Sequence, residues 1–155
     1  MGALDEAVVW IESYNRKVKL VRERLQDELQ NDKVLMISLL GESFFLFPTR
    51  GMRDVFQDLG MQAPLETEQY AVNQCLTLEE LVKLDTDHLL LNIRQESETL
   101  QHWERIRNST TWQDWKVVRR NRVHLIFSDP WREYSAYAME RMVQNIHELL
   151  SDNRT

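Results

Sequence analysis

From Leu4 to Gln30 the apolar side chains Leu4, Ala7, Val8, Ile11, Tyr14, Val18, Val21, Leu25 and Leu29 recur three and four residues apart, with Arg, Lys, Glu and Asp between them. That spacing predicts one long amphipathic helix. At 1.5 Å per residue it runs about 40 Å, more than a domain of this size needs to cross its own core. Part of it is therefore expected to brace something absent from this chain. The helix is already in progress at the first residues, so further chain is expected upstream of Met1.

After the polar break Asn31-Asp32 the pattern changes. Val34 to Leu40 is nearly continuous and aliphatic, as in a strand buried on both faces. Gly41-Glu42 turns into a second extended run, Ser43 to Phe47, closed by Pro48. Gly51 to Leu59 reads as a short helix stopped by Gly60, and Met61 to Gln74 as loop with a short extended piece at Tyr70 to Val72. Thr77 and Glu80 form a capping box that starts a helix over Leu78 to Leu84. His88 to Ile93 is a buried strand, Glu96 to Asn108 a helix, and Thr111 to Trp115 a helical turn. Arg122 to Phe127 is a further strand, and Glu133 to Leu150 a closing helix after the break Ser128-Asp129-Pro130.

Residues 1–31 are thus read as a spine helix and residues 32–155 as one α/β lobe. The alternation of strands and helices predicts a three-layer α/β/α lobe with a mainly parallel sheet. Ligands of such sheets sit beyond the carboxyl ends of the strands, which directs attention to the loops after Phe47, Ile93 and Phe127.

Composition narrows the function classes. The 155 residues are 43% hydrophobic and 28% charged, as in an ordinary globular domain, and the net charge of −6 disfavours a nucleic-acid binder relying on a global positive field. No apolar run approaches the roughly 18 residues of a membrane span, and Met1 to Trp10 lacks a signal-peptide pattern. Cys75 is the one cysteine, and His88, His102, His124 and His147 are scattered singly, so no metal-ligand set is expected. There is no Gly-x-Ser-x-Gly, Gly-x-Gly-x-x-Gly or His-Glu-x-x-His, and catalysis is not expected.

The segment Pro48 to Asp54 carries more information. It sets Arg50 and Arg53 between a strand end and the first turn of a helix, where free N–H groups and the positive dipole end already favour an anion. Pairing of these arginines with Asp54 or Asp58 is the structural alternative. Arg94 follows the strand ending at Ile93. Trp131 and Tyr134 follow the strand ending at Phe127 and either line the same crevice or cover the core. Trp103, Trp112 and Trp115 are read as packing residues.

The ordered set of motifs resembles the C-terminal lobe of the iron-siderophore class of periplasmic-type binding proteins, which deliver cargo to ABC importers. The resemblance is carried by the spine helix, Gly41-x-Ser43-Phe44, Arg50-Gly51-x-x-Asp54-Val55-Phe56-x-Asp58-Leu59-Gly60, Leu84-Asp85-x-Asp87-His88-Leu89-Leu90, Trp112 ahead of Val117 to Val123, and Pro130-Trp131-x-Glu133-Tyr134-Ser135-Ala136. The same domain is similar to the ligand-sensing part of AraC-type regulators of iron uptake.

The resemblance implies a two-lobed protein that closes on a ferric siderophore, of which this chain holds one lobe and lacks the N-terminal one. The siderophore itself fills the iron coordination shell, so no protein metal ligand and no cofactor is implied. Catecholate complexes are anionic and held by basic residues, whereas hydroxamate complexes lean on aromatic contacts. On that basis Arg50, Arg53, Arg94, Trp131 and Tyr134 are the ligand-binding residues, and Asp54 is the carboxylate that docks on an ABC permease. Neither direct nucleic-acid contact nor a membrane span is implied for this domain. Cobalamin or haem binding is the alternative within the class. A small α/β enzyme or interaction domain holding a phosphate or carboxylate is the alternative outside it.

Overall fold

The computed structural model describes residues 2–46, 50–64, 74–126 and 136–151. Helix α1 (Gly2–Leu29) leads into strands β1 (Val34–Leu40) and β2 (Ser43–Leu46), helix α2 (Arg50–Asp58) and the two-residue strand β3 (Cys75–Leu76). There follow α3 (Leu78–Leu81), β4 (His88–Ile93), α4 (Ser97–Arg107), α5 (Thr110–Gln113), α6 (Lys116–Arg119), β5 (Val123–Ile126) and α7 (Ala136–Ser151). The strands form one sheet in the order β3-β2-β1-β4-β5. β1, β4 and β5 run parallel, and β2 and β3 add an antiparallel wing.

The sequence explains the layering. In β1 the even positions Val34 and Met36 join one apolar cluster and the odd positions Leu35, Ile37 and Leu39 the other, which is why this strand is aliphatic throughout. The first cluster is closed by α1, α2 and α7 through Leu25, Val55, Met142 and Ile146 among others. The second is closed by α3 to α6, where Trp112 meets Trp103 and Trp115 edge to face at 5.2 and 5.7 Å and the Trp115 indole donates to the Leu84 carbonyl. The three-layer lobe and the packing role of these tryptophans are as expected from the sequence. Each fully buried Leu or Ile contributes about 1.5–3 kcal/mol.

Local signals set most of the boundaries. Gly41 (φ +61°) is the first central residue of the two-residue β1–β2 turn, where a positive φ matches the strand twist. Gly60 (φ +68°) ends α2 in the left-handed conformation. The Thr77–Glu80 capping box is present, but α3 stops at Leu81, three residues short of the expected end. The chain is diverted there because Thr86 and Asp87 are needed to start β4. The Thr86 hydroxyl lies 3.1 and 2.8 Å from the Lys33 and His88 carbonyls, and Asp87 accepts the Lys33 N–H at 2.8 Å. Strand β3 and helix α6 were not anticipated. The extended piece expected at Tyr70 to Val72 lies outside the described residues.

Helix α1 is 28 residues long, about 42 Å, whereas the seven-residue β1 spans about 23 Å. Near its start Asp5 to Val9, Ile11 and Glu12 are exposed, while Tyr14 onward packs on the sheet with Trp10 stacked on Tyr14 at 5.5 Å. The helix exceeds its own lobe, as its sequence implied.

Candidate functional site

The parallel strands end together at Leu40, Ile93 and Ile126, and that end is pinned by polar contacts. The Arg94 N–H donates to the Leu39 carbonyl at 3.2 Å. The Gly41 N–H donates at 2.8 Å to the hydroxyl of Thr99, a fully buried residue in the first turn of α4. The β1–β2 turn is thereby tied to α4, and the end of β4 to β1.

The helices of the first layer point the same way. α2 terminates beside the opposite, amino end of the sheet, where the Val34 N–H donates to the Gln62 carbonyl at 2.8 Å. Its first residue, Arg50, is eight residues back, about 12 Å along the axis toward the carboxyl ends. α7 also finishes at the amino end, with the Ser151 hydroxyl donating to Glu28 near the close of α1. α7 follows β5 and runs back to the amino end, so its N-terminal end faces the carboxyl ends of the strands. α2 closes at that same amino end, but β2, antiparallel to β1, delivers the chain to it from the level of Ile37 and not, as the sequence suggested, from beyond a carboxyl end.

Arg50 opens α2, and only its backbone is described. Arg53, one turn on, is exposed, with no hydrogen bond or ion pair among the described residues. Asp54 is half-buried and engaged within the fold. The Asp58 carboxylate accepts the Tyr14 hydroxyl at 3.0 Å. Arg94 stands at the carboxyl end of β4 with Nη2 3.0 Å from the Glu96 carboxylate. Trp131 and Tyr134 lie outside the described residues.

Several polar groups were missed in the sequence. On β1 and β4, Ser38 and Asn92 are register partners near the carboxyl end, both buried under the first layer of helices. The Asn92 amide nitrogen has no hydrogen-bond partner among the described residues. At the amino end, His88 Nε2 lies 3.2 Å from Asp32 and 3.3 Å from Arg122, and its ring stacks on His124 at 5.9 Å. Burial, then His88 and Arg122, push His124 down to about 4. Burial also lowers His88, with Asp32 partly offsetting it. The signal for all of these was polar residues interrupting aliphatic strands.

Among the described residues no group of three or more His, Cys, Asp and Glu could hold a metal ion, and no helix is long and apolar enough to cross a membrane. A groove of about 470 Å³ lined by Lys83, Asp85, Trp115, Lys116 and Arg119 lies on the second layer, away from the expected site. Its Lys116 is already paired with Asp85 at 3.6 Å.

An α/β lobe with a mainly parallel sheet, preceded by one long helix, is the class this architecture defines. Residues 1–130 match the periplasmic binding protein family, and the chain belongs to that family. It is 33% identical over 148 residues, 95% of its length, to the HTH-type transcriptional activator Btr of Bacillus subtilis, of which it spans 28%. It is 20% identical over 157 residues to the iron-uptake system-binding protein of the same organism, spanning 50% of it. In fold it is similar to the triscatecholate siderophore binding protein FeuA of Bacillus subtilis, solved with ferri-bacillibactin. The TM-score is 0.85 at 20% identity, over 99% of this chain and 56% of that one.

Proposed function

We propose that this lobe binds an anionic ferric siderophore as the ligand-sensing part of an AraC-type iron-uptake regulator. The observation that carries the reading is the direction of the cations. Arg50 and Arg53 open a helix aimed toward the carboxyl ends of the strands, and Arg94 stands on one of those ends. A helix N-terminus and three guanidinium groups suit a polyanion whose charge is spread over several oxygens. The 33% identity to a transcriptional activator over almost the whole chain favours sensing. The second reading, cargo delivery to an ABC importer, is supported by the iron-uptake relative, and in it Asp54 docks on the permease.

Trp131 and Tyr134 complete the site as aromatic contacts, and a second, N-terminal lobe covers the ligand's other face. The protein supplies no iron ligand, because the siderophore already fills the coordination shell. The role is binding rather than catalysis.

The test is a tryptophan-fluorescence titration of the full-length gene product with a ferric tris-catecholate, set beside a ferric hydroxamate and inorganic phosphate. The tris-catecholate is expected to bind tightest. Arg50→Ala, Arg53→Ala and Arg94→Ala are each expected to weaken it by about 1.5–3 kcal/mol. Phosphate binding with no response to either iron complex refutes the reading.

A further inference from the structure

β4 reads His-Leu-Leu-Leu-Asn-Ile, and Asn92, the polar residue that interrupts its aliphatic run, is 2% exposed with an amide nitrogen unpartnered among the described residues. A buried donor without an acceptor is a net cost to folding. Leucine at this position would continue the aliphatic strand and remove that cost. Ser38, its partner in register on β1 and 5% exposed, is polar too. Strands in a sheet lie about 4.8 Å apart, so the two side chains are neighbours on one face.

The face and the end of the strand matter. Asn92 is two residues beyond Leu90 and Ser38 two beyond Met36, both members of the cluster under α1, α2 and α7. Asn92 is also the penultimate residue of β4, with Arg94 two residues on. The unpaired donor therefore sits toward the carboxyl ends of the strands, under the helix layer in which α2 and α7 begin. Positions where a sequence breaks its own pattern without a compensating contact mark function.

We propose that Asn92, with Ser38 beside it, is the polar floor of the ligand crevice, and that its amide donates a hydrogen bond to an oxygen of the bound iron complex, directly or through one water. This rests on the siderophore-binding reading above. Asn92 then serves as a specificity determinant: it favours ligands presenting an oxygen acceptor at depth over apolar ligands of equal size.

The molecule contains its own control. His124 also has a buried ring nitrogen without a partner, but it belongs to the amino-end cluster with His88, Asp32 and Arg122. The experiment compares Asn92→Leu, Asn92→Thr and His124→Leu in the full-length gene product. Melting is read by calorimetry without ligand, and affinity by titration with a ferric tris-catecholate.

Asn92→Leu is expected to melt higher than the parent yet bind about tenfold or more weakly. Asn92→Thr, which suits a strand and keeps a hydroxyl donor, is expected to retain affinity within about threefold of the parent. His124→Leu is expected to leave affinity unchanged. If Asn92→Leu binds as the parent does, or if His124→Leu weakens binding equally, the floor assignment is overturned. If the parent itself ignores the iron complex, it is the siderophore-binding reading that fails.

Discussion

Acidification should weaken this fold through His124, and the effect can be sized. Its ring is 7% exposed and held down to about 4 from 6.5, first by burial and then by His88 and Arg122. A folded value below the unfolded one means that the imidazole stays neutral in the fold while the unfolded chain takes up a proton. The stability is complete above about pH 7 and is lost progressively as pH falls toward 4. At about 1.4 kcal/mol per pH unit the whole effect is about 3 kcal/mol, of which about 2 kcal/mol is lost by pH 5. His88 adds in the same direction. The charged groups facing the pair, Asp32 and Arg122, act oppositely on His88. Native domains are stable by only about 5–15 kcal/mol, so the loss is readily measured.

The assay is urea unfolding at pH 7.5 and pH 5.0, on the parent and on His124→Leu. Surface carboxylates titrate alike in both proteins, so the difference of differences reports position 124 together with its effect on the stacked His88. With a urea slope of about 2 kcal/mol per molar, the parent midpoint should fall by about 1 M more than the variant's. Equal falls in the two proteins would show that His124 titrates as it does in the unfolded chain, and the burial argument would be wrong.

Two further outcomes are expected. Gly60→Ala forces a side chain onto φ +68° and places its Cβ 3.0 Å from the Arg22 guanidinium; that group can swing aside, so the cost of about 1–2 kcal/mol comes from the backbone and should appear as a lower melting temperature. Trp131→Phe should reduce the fluorescence quenching caused by a ferric tris-catecholate, and unchanged quenching would put Trp131 away from the ligand.

Elements with strong periodicity or a specific terminator were legible in the sequence. The unbroken aliphatic run of β1 requires burial on both faces, and His88–Ile93 was located to the residue because Thr86-Asp87 interrupts one pattern and starts another. The two-residue β3 was not legible, since Cys75-Leu76 pairs only because β2 lies alongside, a tertiary cause with no local signal. α6 was missed for a related reason: its one fully packed side chain, Val117, has no periodic partner within four residues. Of the site, the charges could be listed from the sequence, but the direction of α2 could not. That direction follows from Gln62 bonding to Val34, a contact between segments 28 residues apart.

The two faces of the sheet divide the work unevenly. β4 turns Leu89, Leu91 and Ile93 toward the second layer, which four short helices and three buried tryptophans close without an orphaned polar atom among the described residues. Toward the first layer the same strand turns His88, Leu90 and Asn92, and the three buried side-chain atoms lacking partners among the described residues, on His88, Asn92 and His124, lie on that face. A strand selected only for stability would be aliphatic on both sides, as β1 nearly is. Of the three, His88 and His124 belong to the amino-end cluster with Asp32 and Arg122, and Asn92 alone stands toward the carboxyl ends of the strands. The first face is also the one covered by α1, whose exposed opening turns reach beyond the lobe, and by α2, which begins with Arg50. Substitutions on the second face, and of His124 on the first, should accordingly change stability alone, whereas Asn92→Leu separates stability from binding.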